Sequence, residues 1–176
     1  MHSDSVAVMS RKFRFTVPYS VPVDDLHRAL TSGDAWRTRF AEAPTATLDF
    51  SHPDGPGTAR IHMIERARKD KVPALVGKVL SGELVFDRTD DWRALSGDTA
   101  EGDFRVATTG VTGTMTGSQR LRPTAEGSEI EITGSLEVKV PLIGRAIEPL
   151  AEQMLHRVVG SERRFFEQWC AEHASS

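Results

Sequence analysis

Cysteine is almost absent: the 176-residue chain carries one, Cys170. A single thiol excludes an internal disulfide and a cysteine-based metal site, and it suits a reducing cytoplasm. Also missing is any run approaching the roughly 18 consecutive apolar residues of a membrane span. Residues 1–10 have neither the charged leader nor the apolar run of a secretion signal. A cytoplasmic protein with no stable membrane insertion is expected, residues 1–10 forming a flexible tail. Basic residues are not in excess, with 22 Lys and Arg against 25 Asp and Glu and a formal charge of -3. No basic cluster suggests a nucleic-acid face, so nucleic acid is not an expected partner. The sequence sets no oligomeric state.

Several chemistries lack their residues. His62 and His156 have no second histidine or carboxylate at ligand spacing, so neither a metal nor another cofactor is expected. The glycines at 55, 57 and 110–117 do not open a helix after a buried parallel strand, which excludes a nucleotide-binding loop. Ser161 lacks the glycine elbow of a serine hydrolase. Cys170 has no histidine placed to activate it and reads as an inert thiol.

What is present is periodicity. Residues 12–17 alternate, with Phe13, Phe15 and Val17 on one face and Lys12, Arg14 and Thr16 on the other. Two short helices follow, at 23–30 with acids in its first turn and at 35–42 with Trp36 and Phe40 four apart. Strands are then predicted at 45–50, 58–66, 83–92, 102–108, 111–122 and 128–140. Gly113, Met115 and Gly117 share one face of the fifth of these, and glycines there mark a bend or a close approach. Residues 72–80 form a short apolar segment of one or two helical turns. The chain closes on a long helix with an apolar stripe of Ile147, Leu150, Ala151, Met154, Val158, Phe165 and Trp169. Pro149 disfavours helix before it, so residues 142–146 are expected as a separate turn, with the long helix starting near Pro149.

Glu162 falls four residues after Val158 and three before Phe165, on or beside that stripe, where a carboxylate is costly unless paired. It is either paired with a strand arginine such as Arg105 or Arg120, or exposed at the stripe's edge, or desolvated. In the last case its pKa is raised, and it serves as a general acid or base or hydrogen-bonds a ligand hydroxyl. Met63, Met115 and Met154 read as ordinary core or, alternatively, as an adaptable pocket wall.

This order of elements resembles the helix-grip fold of the START-like (SRPBCC) superfamily, which includes the birch-pollen-allergen type and the polyketide cyclases. More narrowly, residues 13–19 with the helix at 23–30, Trp36 to Phe40, Val72-Pro73, Val138-Lys139-Val140-Pro141-Leu142-Ile143-Gly144 with Ile147-Glu148, and residues 162–169 are similar to an uncharacterised actinobacterial family within it. The resemblance implies an α+β fold over residues 11–173, a curved antiparallel sheet of six to seven strands wrapped around the terminal helix. It further implies a cavity between them, faced by Ile61, Met63, Phe86, Trp92, Phe104, Val106, Met115, Leu136, Leu150, Met154 and Val158; Glu162, from its place beside the stripe, is the candidate polar contact. The expected function is binding or carriage of a hydrophobic small molecule such as a lipid, sterol or polyketide, with residues 72–80 as a lid. The alternatives are a cyclase or dehydratase using Glu162 with His62 or Arg105 orienting substrate, and a protein-interaction module whose cavity is filled by its own side chains.

Overall fold

Strand alternation of apolar and polar residues translates into a sheet with one covered and one wet face. The computed structural model describes residues 6–67, 69–141 and 144–174. Its strands are β1 (Val6–Tyr19), β2 (Thr47–Ser51), β3 (Ala59–Ala67), β4 (Leu84–Trp92), β5 (Ala100–Thr109), β6 (Thr112–Thr124) and β7 (Gly127–Pro141). They form one sheet in the order β1-β7-β6-β5-β4-β3-β2, with every neighbouring pair antiparallel. The helices are α1 (Val23–Leu30), α2 (Gly33–Phe40), α3 (Ala74–Val79) and α4 (Gly144–Glu172). The fold is therefore the expected α+β arrangement, with short helices after the first strand and one long terminal helix.

The two short helices lock the second half of α4. Asp24 and Asp25 occupy the first turn of α1, where carboxylates suit the helix dipole, and Leu26, Ala29 and Leu30 are buried. Ser32 caps α2 by accepting the Ala35 amide hydrogen at 3.3 Å. Trp36, 1% exposed, donates its indole N–H to the Leu30 carbonyl at 2.9 Å and meets Phe166 edge-on with centroids 5.1 Å apart. Glu167 adds a polar clasp, accepting the Ser20 backbone N–H at 2.7 Å and the Ser20 hydroxyl as well.

Glycine sets the middle of the sheet. Phe104, Gly117, Gly134 and Phe13 form one row across β5, β6, β7 and β1. The two phenylalanine rings lean over the paired glycines with centroids 6.4 Å apart. A Cβ at Gly117 would run into the Thr133 backbone carbonyl of β7 and lie 2.6 Å from Phe104 Cζ, and one at Gly134 would lie 2.6 Å from the Thr116 backbone carbonyl of β6 and 2.8 Å from Phe13 Cζ. The close approach expected of Gly117 is thus made by the backbone of β7 and by an aromatic side chain beside it.

Three expectations are corrected. β1 starts at Val6, ahead of the predicted boundary at residue 11, because residues 6–10 pair with Pro141 to Glu137 of β7. Pro149 lies inside α4, which already runs from Gly144; packing of Leu150, Ala151 and Met154 against the core offsets the one amide hydrogen bond a proline removes. Leu142 and Ile143, in the turn expected ahead of the helix, and the side chain of Ile147 lie outside the described residues. Finally, the stripe is rotated at its C-terminal end: Phe166 and Cys170 are buried, whereas Phe165 and Trp169 are half-covered and Val158 is 40% exposed. The reason is that α1 and α2 cover α4 from one side there, so two elements rather than the sheet alone decide which face is buried.

Candidate functional site

Alternate side chains of β3 to β7 converge under α4 without filling the space, leaving a cavity of about 490 Å³. Of the residues expected to face it, Met63 of β3, Phe86 and Trp92 of β4, Phe104 and Val106 of β5, Met115 of β6 and Leu136 of β7 border it. So do Met154, Val158 and Glu162 of α4. Ile61 and Leu150 do not. Ile61 is wholly enclosed by core atoms, and Leu150 packs against the core a turn before Met154, at a half-buried position. From the segment expected as a lid, Val76 of α3 is buried and reaches the wall.

The wall is mainly carbon, but a charged cluster stands in it. Alternation along β4 turns Leu84, Phe86, Arg88, Asp90 and Trp92 to the same side, so a guanidinium and a carboxylate sit between large apolar residues. Arg88 donates Nε–H to Asp90 Oδ1 at 3.0 Å and Nη2–H to Asp90 Oδ2 at 2.6 Å. It donates Nη1–H to Glu162 Oε1 at 2.5 Å, and its Nη2 reaches Glu162 Oε2 at 3.3 Å. The side chains of Asp90, Glu162 and Arg88 are 2%, 13% and 20% exposed.

One cation against two carboxylates leaves a negative excess in a poorly solvated place. Burial raises the Asp90 carboxyl pKa above its usual value of 3.8, with Glu162 adding to the rise and Arg88 opposing it. Burial also works to lower the Arg88 pKa, but the two carboxylates outweigh it and hold the guanidinium firmly protonated. Tyr19, also on the cavity wall, has its phenol pKa raised by burial and by the nearby Glu162 and Glu167 charges. Gln119 of β6 lines the cavity too, and its Nε2 makes no hydrogen bond among the described residues.

Glu162 thus has its expected arginine partner, but the partner is Arg88. Arg105 and Arg120 have the opposite strand parity to the cavity-lining Phe104, Val106 and Gln119 and are exposed on the outer face. His62 is likewise on the outer face, with Nε2 2.7 Å from Asp87 Oδ1. The groups invoked to orient a cyclase substrate, His62 and Arg105, are therefore on the far side of the sheet from Glu162. Arg88, Asp90 and Gln119 were not singled out from sequence, although parity with Phe86, Trp92 and Met115 places them inward. Cys170 is buried beside the Asp25 carbonyl, 3.7 Å away, and desolvation pushes its thiol pKa up to about 11, in keeping with an inert thiol. Among the described residues no group of three or more His, Cys, Asp or Glu is placed to hold a metal, and no helix is long and apolar enough to cross a membrane.

An antiparallel sheet gripping a long terminal helix, with short helices after its first strand, is the helix-grip fold. The chain belongs to the family described as Protein of unknown function (DUF2505), which matches residues 14–170. An uncharacterized protein of Mycobacterium tuberculosis is 30% identical, the match covering 92% of this chain and 97% of the relative. Among solved structures, Ara h 8.0201 superposes with a TM-score of 0.53 at 16% identity, covering 95% of this chain and 100% of that one. The Zhui aromatase/cyclase from Streptomyces superposes with a TM-score of 0.52 at 12% identity, covering 96% and 98%. At such identities the likeness is one of fold.

Proposed function

We propose that this protein binds and carries an apolar small molecule, of lipid, sterol or polyketide type, in the cavity between its sheet and α4. The observation that carries the reading is the cavity itself: about 490 Å³, bounded mainly by apolar side chains, within the size range of small-molecule sites. Met63, Met115 and Met154 supply flexible, polarisable wall that adapts to ligand shape. Burial of apolar ligand surface drives binding at about 25 cal/mol per Å² removed from water. Val158, 40% exposed, marks the edge of the wall, and α3, which packs on α4, is the segment whose movement admits the ligand.

The fold neighbours support the reading without fixing it, since they include an aromatase/cyclase as well as Ara h 8.0201. What favours carriage over turnover is that both Glu162 oxygens are engaged by Arg88. The test is native mass spectrometry of the protein purified from its own host, followed by titration with the neutral probe N-phenyl-1-naphthylamine. A retained apolar compound, or saturable uptake of one probe per chain, is expected. A ligand-free mass together with no saturable probe uptake contradicts it.

A further inference from the structure

The charged cluster in the wall constrains which apolar molecules fit, given that the cavity holds one. Arg88 has five N–H hydrogens, and its four contacts to Asp90 and Glu162 leave one uncommitted. The two carboxylates offer four oxygens, each with a second lone pair free. The cluster is therefore rich in acceptors, poor in donors and negative by one charge when all three groups are ionised. A hydroxyl brings the donor that this arrangement lacks, and an ammonium brings a donor and the missing positive charge. A carboxylate brings only more lone pairs and a third negative charge, at a site where low solvation strengthens repulsion.

We propose that the Arg88–Asp90–Glu162 cluster selects the ligand by its head group, accepting apolar molecules that end in a hydroxyl or an ammonium and rejecting those that end in a carboxylate.

The other polar groups around the cavity lie outside this cluster, and the competition below sets them against it. Arg39 of α2 reaches Ser161 at 3.5 Å and lies over the Phe165 ring, 5.9 Å from its centroid. Arg157 and Glu65 are exposed, so water screens them. Tyr19 stays protonated, and the Gln119 amide is neutral.

Decanol, decylamine and decanoate share one tail and differ in the head, so their competition against bound N-phenyl-1-naphthylamine at pH 7 isolates the head group. Decanol and decylamine are expected to displace the probe at concentrations about tenfold or more below decanoate. In Glu162→Gln or, should that variant fold poorly, Asp90→Asn, the excess charge is gone and the gap shrinks to about threefold or less. Decanoate equal to or better than decanol in the unaltered protein overturns the proposal and shifts selection to Arg39 and Arg157. If the probe binds but none of the three displaces it, the head-group proposal fails while carriage stands; if the probe itself does not bind, carriage fails and takes the selection with it.

Discussion

Strands β4 and β7 obey the same alternation and spend it differently. Along β7, Ile130, Ile132, Leu136 and Val138 face the core while Glu129, Thr133, Glu137 and other polar residues face out. Its charges stay on the wet face, where Arg122 pairs with Glu129 at 2.6 Å and with Glu131 at 3.1 Å. Along β4 the inward row is Leu84, Phe86, Arg88, Asp90 and Trp92, with two charges turned to the cavity. Folding alone explains β7, since burying its apolar face is favourable and its ion pairs cost little to keep in water. Folding does not explain β4: a buried ion cluster is commonly no better than apolar residues of the same volume. On the proposed reading, the difference makes β4, with its partner Glu162 on α4, the part of the molecule shaped for a ligand.

The largest effect should come from breaking the β4 cluster. Arg88→Met leaves Asp90 and Glu162 buried without a cation, and the expected loss is about 3–5 kcal/mol in urea unfolding. Converting all three positions together, with Arg88→Met, Asp90→Leu and Glu162→Leu, should recover most of that stability. A triple variant as unstable as the single one would show that the cluster serves the fold rather than the site.

Gly117→Ala tests the row that joins the two strands' neighbours, because its methyl group meets the Thr133 backbone carbonyl of β7 as well as the Phe104 ring tip. A loss of about 1–3 kcal/mol is expected by the same measurement.

A smaller, pH-dependent effect follows from Asp90. Its pKa is raised above 3.8 in the fold, so the folded chain holds that proton more tightly than the unfolded chain. Protonation then favours folding, and this contribution is lost as pH rises through the folded value. Asp90→Asn remains neutral throughout, so its melting temperature relative to the unaltered protein should climb between pH 4 and pH 7. A difference that is flat or falls over that range contradicts the assignment. Least of all, Glu131→Gln on the outer face of β7 should leave the urea midpoint unmoved, even though Glu131 meets both Arg14 and Arg122.

Most elements were legible because period two and the three-and-four helical spacing are written directly in residue order. Boundaries set by partners were not: β1 extends to Val6 because β7 offers five more residues to pair with, and nothing local to residues 6–10 says so. The rotation of α4 toward Phe166 and Cys170 depends on where α1 and α2 rest, a tertiary fact. The site was legible by halves. Glu162 stood out because a carboxylate beside an apolar stripe needs a partner, and the inward facing of Phe86 and Trp92, implied by the resemblance, agrees with strand parity. That same parity turns Arg88 and Asp90 inward, yet charged residues in a strand are ordinarily assigned to the wet face. Space under α4 was implied only by the resemblance of the element order; no single residue signals it, because it is a remainder of side-chain volumes summed over several strands and a helix.

The most direct test fills that space. Ala151 on α4 and Val106 on β5 both border the cavity, and Ala151→Phe and Val106→Phe each project a ring into it. Titration of each variant with N-phenyl-1-naphthylamine, beside its melting temperature, separates loss of the cavity from loss of the fold. The account predicts saturable binding of one probe per chain by the unaltered protein and at least about tenfold weaker binding by folded variants. Undiminished binding by both folded variants would place the probe elsewhere and contradict it.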